Sequence, residues 1–335
     1  MKIADIPMPE CRDGDVLVRV TACGICRTDM KAYRTGHRDL LLPRVLGHEI
    51  AGVVARTGSA VTCAKPGDRV QVAPGLPCGA CTHCRTQMHH LCGGIQIMGF
   101  HYDGGFAEYV LVPKNGVENG VLNKIPETLS FYEAVLTEPL ACCVNMQETA
   151  GIGQGDTVVI FGAGPLGILS AKLARQRRAA RIILVEKKKA RIEAATDTFD
   201  SFINSGQEDA VSTIHALTNG KGADAAIPCC PDPQAFADSL SVLAKRGRLC
   251  FFSGLAADLP VPMPVLNLIH YKELAVFGAY GCSSLHNRTA LNLLASGNIQ
   301  VKDMTTRILP LTSLVQGLEM AASRKETNII IDPTL

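Results

Sequence analysis

Thr157-Val-Val-Ile-Phe161 runs into Gly162-Ala-Gly164-Pro165-Leu166-Gly167, and a helical stretch from Leu166 to Arg177 follows at once. A G-x-G-x-x-G turn between a strand and a helix belongs to a parallel sheet whose first loop cradles a pyrophosphate at a helix N-terminus. Gly162 permits the tight turn, Gly164 lets the backbone approach the phosphates, and Gly167 allows close helix–strand packing. A dinucleotide held by Gly162, Gly164, Pro165, Leu166 and Gly167 is expected, with a purely structural glycine turn as the plainer alternative.

The next apolar strand, Arg181 to Val185, ends in Glu186, about twenty residues beyond the last glycine, where an acid accepts hydrogen bonds from the adenosine ribose. A carboxylate there repels a 2′-phosphate and favours NAD over NADP. Lys187, Lys188, Lys189 and Arg191 follow and partly offset that repulsion, and Arg191 is counted with the cofactor residues.

The rest of the chain supplies the sheet and a second domain. From Thr157 to about Val276, apolar strands alternate with helical stretches, which implies a parallel sheet covered by helices. From Val16 to about Pro126 the texture is instead short β segments broken by glycine, among them VLVRV, EIAGVV, DRVQV and FAEYVLV. After Gly278 come a helical stretch around Arg288–Ala295, a β-like TRILPL, a helix near Ser313–Ala322 and a final strand NIIID. At 335 residues, with 47% hydrophobic and 19% charged residues, the chain is long and apolar enough for two folded domains and is not disordered.

A net charge of +2 removes the positive field that a nucleic-acid binder needs. No apolar run reaches the ~18–20 residues of a membrane span, and Met1 to Asp5 lacks the order of a secretory signal, so a soluble cytoplasmic protein is expected. Its fourteen cysteines, several in apolar surroundings such as Cys142–Cys143 and Cys229–Cys230, are read as metal ligands and buried thiols.

Four of those cysteines fall within sixteen residues. Cys78, Cys81, Cys84 and Cys92, spaced C-x2-C-x2-C-x7-C, can close a tetrahedron around Zn²⁺ with no open position, as a structural site requires. His83, His89 and His90 are nearby substitutes that the complete cysteine set makes unnecessary. A nucleic-acid-binding ribbon is disfavoured by the flat charge and the single copy.

Three further places hold ligand-type residues: Cys23-Gly-Ile-Cys26-Arg27-Thr28-Asp29, Gly47-His48-Glu49 and Glu138-Pro139. Together they offer thiol, imidazole and carboxylates, enough for a three-ligand zinc with an open fourth position. Spacing alone does not show that they converge.

The order C-G-I-C-x-T-D, G-H-E, G-D-R-V (Gly67 to Val70), the four-cysteine lobe, G-G-F-A-E-Y (Gly104 to Tyr109), E-P-L-A-C (Glu138 to Cys142) and G-A-G-P-L-G resembles the zinc-containing medium-chain dehydrogenase/reductase family. Within it the chain looks most like the sorbitol, polyol and secondary-alcohol dehydrogenases. The resemblance implies an α/β architecture of two parts: a GroES-like, mostly β catalytic domain over 1–142, with the zinc lobe at about 77–93, and a Rossmann domain over 143–280 with a doubly wound parallel sheet. Residues 281–335 are then expected to return to the catalytic domain.

It also implies roles. Cys26, His48 and Glu138 hold a catalytic zinc, Asp29 orients His48, and Glu49 lies beside the metal as a transient ligand or tunes its charge. Thr28 carries the alcohol proton outward, Cys23 binds no zinc, and Arg27 reaches the cofactor pyrophosphate or else stays solvated. Two zincs and one NAD per chain are implied, with hydride passing between NAD and a polyol or secondary alcohol. Tyr33, His37, Phe100 and His101 are candidates for the pocket wall, with plain packing an equal alternative, and Glu273–Phe277 is a candidate edge strand for a homodimer or homotetramer.

Some positions depart from the family pattern. Lys31 stands where many relatives place the histidine that ends a proton relay, and Gly278–Cys282 lacks the arginine that sorbitol dehydrogenases carry for a polyol hydroxyl. Met1 stands close to IPMPECRDGDVLVRV, a segment most relatives reach after one or two earlier strands; a short N-terminus and a mis-assigned start explain this equally well. Two other functions stay open: an L-threonine-type amino-alcohol dehydrogenase, and a catalytically inactive nicotinamide-binding redox sensor.

Overall fold

The computed structural model of the chain describes residues 1–195, 198–255, 266–323 and 326–335. Its described residues divide into two units, Met1–Ala141 with Gly281–Leu335, and Cys142–Tyr280.

In the first unit the β-branched, alternating segments become strands β1 (Val16–Gly24), β2 (Glu49–Thr57), β3 (Arg69–Val72), β4 (Gly75–Leu76), β5 (Gln96–Ile97), β6 (Tyr109–Val112) and β7 (Leu122–Lys124). β1 is central because its two edges satisfy different partners: β2 along its length, with β6 pairing the first half and a C-terminal strand the last residues. Valines 16, 18, 20, 54, 70, 72, 110 and 112 interlock in one buried core, each worth roughly 1.5–3 kcal/mol relative to exposure.

In the second unit β8 (Thr157–Phe161), β9 (Arg181–Glu186), β10 (Ser201–Asn204), β11 (Ala223–Pro228), β12 (Leu243–Phe251) and β13 (Ala275–Gly278) form one sheet in the order β10-β9-β8-β11-β12-β13. Every pairing in it is parallel. Counted within the unit this is the order 3-2-1-4-5-6 of a Rossmann fold, which reverses at β8, the strand that carries the glycine loop. Continuous apolar strands such as Val158–Phe161 and Ile182–Val185 are buried throughout, as a sheet covered on both faces demands.

The C-terminal strands β14 (Thr305–Pro310) and β15 (Asn328–Asp332) belong to the first unit, where β15 pairs with β1 at Cys23↔Ile331 and Gly24↔Ile330. The helix Leu314–Ser323 buries Leu314 and Leu318 in the same core. An added Cβ at Gly317 would lie 2.7 Å from Ile25 Cδ1, so the helix approaches the end of β1 at backbone distance. The α/β class and the pairing of a mostly β unit with a Rossmann sheet agree with the sequence expectation.

Candidate active site and metal centres

The end of β1 and the start of β2 build one centre. The chain leaves β1 at Gly24 and enters the helix Arg27–Thr35 with Cys26 as N-cap: Sγ accepts the Thr28 N–H at 3.5 Å, and Asp29 Oδ2 accepts the Cys26 N–H at 3.0 Å. Glu49, the first residue of β2, pairs opposite Gly24, and His48 immediately precedes it. One ligand atom each from Cys26, His48 and Glu49 therefore lies within 4.8 Å of the others. A Cβ at Gly24 would sit 2.0 Å from Glu49 Oε2, so a side chain there would push the Glu49 carboxylate out of this position.

Asp29, fully buried, ties this corner together. Its Oδ1 faces His48 Nδ1 at 3.2 Å and accepts the Gly47 N–H at 3.2 Å. With Nδ1 engaged, Nε2 is the imidazole nitrogen left for a metal. Burial pushes the His48 imidazole down, but the Asp29 carboxylate and the Cys26 sulfur outweigh it and hold the ring well above its ordinary pKa. Burial pushes the Cys26 thiol up against the opposing pull of His48. For Glu49, burial first and the charge of Glu138 second raise the carboxyl from its ordinary 4.5 to about 8.

The G-G-F motif supports the turn from outside. Gly104, Gly105 and Phe106 donate their N–H groups to the carbonyls of Val45, Gly47 and Leu46. A Cβ at Gly104 would lie 2.1 Å from Gly47 O, so only glycine lets this loop brace the turn before His48.

Glu138 lies in the first turn of the helix Thr137–Thr149. Its Oε1 accepts the Cys282 thiol at 3.8 Å, both residues in the first unit. The tight Cys26–His48 group thus contains Glu49, with Glu138 beside it, near enough for its charge to act on Glu49. The donor set, a thiol, an imidazole and two buried carboxylates, fits Zn²⁺, whose charge would offset the cost of placing carboxylates out of water. Thr28 is half-buried, while Arg27 and Lys31 are exposed. Phe100 packs 6.0 Å from the His48 ring and 4.8 Å from His37, centroid to centroid. His101 is engaged locally, its Nδ1 accepting the Ile97 N–H, and Cys23 is a fully buried thiol pushed well up by that burial.

The second centre is the cysteine lobe. The sulfurs of Cys78, Cys81, Cys84 and Cys92 all lie within 4.8 Å of one another, with Cys81–Cys84 at 3.4 Å and Cys78–Cys84 at 3.8 Å. Backbone N–H groups of Ala80 and Cys81 lower the Cys78 thiol to about 6, which prepares a thiolate. All four cysteines donate sulfur, so the lobe fits a closed tetrahedral zinc.

In the second unit Gly162 has φ 104°, and a Cβ at Gly167 would lie 1.9 Å from Gly162 O, which is why the third glycine cannot be replaced. Gly164 is the N-cap and Pro165 the first residue of the helix Pro165–Gln176. Glu186 Oε2 accepts the Ala163 N–H at 2.9 Å, while Oε1 accepts the N–H groups of Lys187 and Lys188 at 2.8 and 2.9 Å. Arg191 stands 3.9 Å from Glu186 Oε2. The acid is therefore tied to the glycine loop itself. Sequence reading had no reason to single out Cys282, whose partnership with Glu138 appears only in three dimensions.

Residues 12–123 match the family model of the alcohol dehydrogenase GroES-like domain, and residues 165–296 that of zinc-binding dehydrogenase. The chain is 32% identical to D-xylulose reductase A of Aspergillus oryzae over 341 aligned residues, covering 99% of this chain and 93% of the relative. It is 31% identical to sorbitol dehydrogenase of Bacillus subtilis, covering 97% and 91%. Among solved structures, a protein described as a zinc-binding dehydrogenase from Sinorhizobium meliloti 1021, bound to NADP, superposes with a TM-score of 0.89 at 31% identity, covering 98% of this chain and 94% of that one.

These likenesses define a zinc-dependent, nicotinamide-dependent oxidoreductase of alcohols. The chain belongs to the zinc-containing medium-chain dehydrogenase/reductase family, in the company of its polyol and secondary-alcohol dehydrogenases. Nothing in them supports the amino-alcohol or redox-sensor readings.

Proposed function

We propose that this enzyme interconverts a polyol, or a closely related secondary alcohol, and its ketone with NAD. The observation that carries the reading is the Cys26–His48–Glu49 corner, in which His48 and Glu49 are buried and Cys26 half-buried, with Asp29 behind it and Glu138 beside it. Cys26, His48 and Glu138 would hold the catalytic zinc; Glu49, which shares the tight group with Cys26 and His48 while Glu138 groups with Cys142 and Cys282, would exchange with Glu138, and the cysteine lobe would hold a structural zinc. When bound, zinc supplies Lewis acidity that eases loss of the substrate hydroxyl proton, and the nicotinamide supplies the hydride acceptor.

The chain's own residues do the positioning. Asp29 fixes the His48 ring and the backbone of Cys26. Thr28, in the first turn of the same helix, would accept the hydroxyl proton and pass it to the cofactor ribose and water, since a lysine, Lys31, stands where many relatives place the relay histidine. The loop from Gly162 to Gly167 would hold the pyrophosphate with its backbone N–H groups, with Arg27 as a further contact. Glu186 supports NAD, because its carboxylate would accept the ribose hydroxyls and repel a 2′-phosphate. Arg191, beside that acid, would flank the same ribose.

Polyol substrates are supported by the named relatives. The finer partners of the reading are a homodimer or homotetramer joined through the sheet edge at β13, and a cytoplasmic place for the chain. Among the described residues no helix is long and apolar enough to cross a membrane. The test is nicotinamide reduction by zinc-replete protein with NAD and NADP in parallel, across polyols, simple secondary alcohols, sugar-phosphate alcohols and L-threonine. Turnover of a polyol with NAD is expected; turnover confined to L-threonine, or none with NADH binding intact, would refute the reading.

A further inference from the structure

A chain of buried polar side chains runs through the first unit and stops at Glu138. Gln71 on β3 and Asn123 on β7 are cross-strand partners, and Asn287 belongs to the helix Ser284–Ala295. Gln71 and Asn287 are 0% exposed and Asn123 is 5% exposed. Amides are costly at such positions unless every group is bonded.

Their directions can be deduced. Asn123 Nδ2 donates to Val121 O at 3.4 Å and Asn287 Nδ2 donates to Ser283 O at 3.0 Å, and those backbone acceptors settle which amide atom is nitrogen. Asn123 Nδ2 also donates to Gln71 Oε1 at 2.9 Å, so Gln71 must turn its Nε2 to Asn287 Oδ1, at 3.2 Å. Asn287 Nδ2 then donates to Cys282 Sγ at 3.2 Å. Because the sulfur accepts there, its S–H is free to donate onward to Glu138 Oε1, at 3.8 Å. Four successive donors point the same way, each polarising the next, and the last meets a carboxylate.

We infer that Cys282, Asn287, Gln71 and Asn123 are positioning residues that hold the Glu138 carboxylate in one orientation for the catalytic metal. The inference rests on the reading of Glu138 as a zinc ligand. The amides act through Cys282, and Cys282 acts on Glu138. A core that needed only filling at these positions would not need a donor sequence ending on an acid.

The test uses full-length protein with Co²⁺ exchanged into the catalytic site and the structural zinc retained, read by its visible d–d absorption and by the rate at which a chelator removes the catalytic metal. Asn287→Asp is isosteric but turns the last amide donor into an acceptor, so it competes with Glu138 for the thiol proton; Cys282→Ala removes the donor, and Cys282→Ser restores one. The expected result is a shifted d–d spectrum and about tenfold faster metal loss in Asn287→Asp and Cys282→Ala. Cys282→Ser should return most of the wild-type spectrum, and both Cys282 variants should melt near wild type, while Asn287→Asp, which puts an acid at a fully buried position, should melt lower with the structural zinc retained. Wild-type spectra in both disruptive variants, while Glu138→Ala shifts its own, would overturn the inference alone. A Glu138→Ala spectrum equal to wild type would overturn the ligand reading beneath it. Loss of sulfur-to-cobalt charge-transfer intensity in Cys282→Ala would make the thiol a ligand instead, which also overturns the positioning role.

Discussion

Asp29 shows how much one buried side chain can organise: it caps the helix Arg27–Thr35, receives the Gly47 N–H and faces His48. Asp29→Asn keeps the volume but loses the charge, and it should weaken retention of the catalytic zinc about 10–100-fold, measured by metal content after chelator dialysis, with the structural zinc kept. Glu49 gives a pH prediction. Its carboxyl is raised from 4.5 to about 8, so the folded metal-free chain holds a proton that the unfolded chain has released. That contribution to stability is fully present below about pH 4.5 and is lost as pH rises through about 8. Metal-free protein should therefore lose melting temperature from pH 5.5 to pH 8.5, and Glu49→Gln should flatten the trend, by scanning calorimetry at each pH. At the cofactor, Glu186→Ser should raise the NADP-to-NAD ratio of kcat/KM by about tenfold or more, equivalent to about 1.4 kcal/mol, because Arg191 and the following lysines remain.

At the scale of the element, glycines decide where loops can go. Gly167→Ala would drive a methyl to 1.9 Å from Gly162 O. The loop must shift, costing about 1–3 kcal/mol of stability. NADH affinity, followed by nicotinamide fluorescence, should fall sharply while both zincs stay bound. The glycine loop and the cysteine lobe were legible in the sequence because each is a short-range device whose geometry follows from spacing alone. So was the alternation of apolar strands and helices from Thr157 onward, which the parallel sheet bears out. The corner at Cys26 was only partly legible: C-G-I-C and G-H-E name the donors, but their approach depends on the antiparallel pairing of Gly24 with Glu49.

At the scale of the molecule, β13 lies at the edge of the six-stranded sheet with Val276 45% exposed. If that edge joins two copies, Val276→Lys should convert the assembly to monomer by light scattering after gel filtration, with Rossmann-domain NADH binding retained. Edge strands with exposed apolar residues pair unless a charge blocks them. What the sequence determined by itself was local and covalent in reach: thiols at metal-ligand spacing, glycines where a backbone must approach, apolar runs of strand length. What only the tertiary structure decided was which distant groups meet, because strand register and helix docking, not spacing, set those distances. Glu138 and Cys282 are far apart in the chain, and Gln71, Asn123 and Asn287 look like ordinary polar residues until the fold buries them. Burial is also what raises Glu49, since a carboxylate's pKa is set by the water it has lost and the charges it faces.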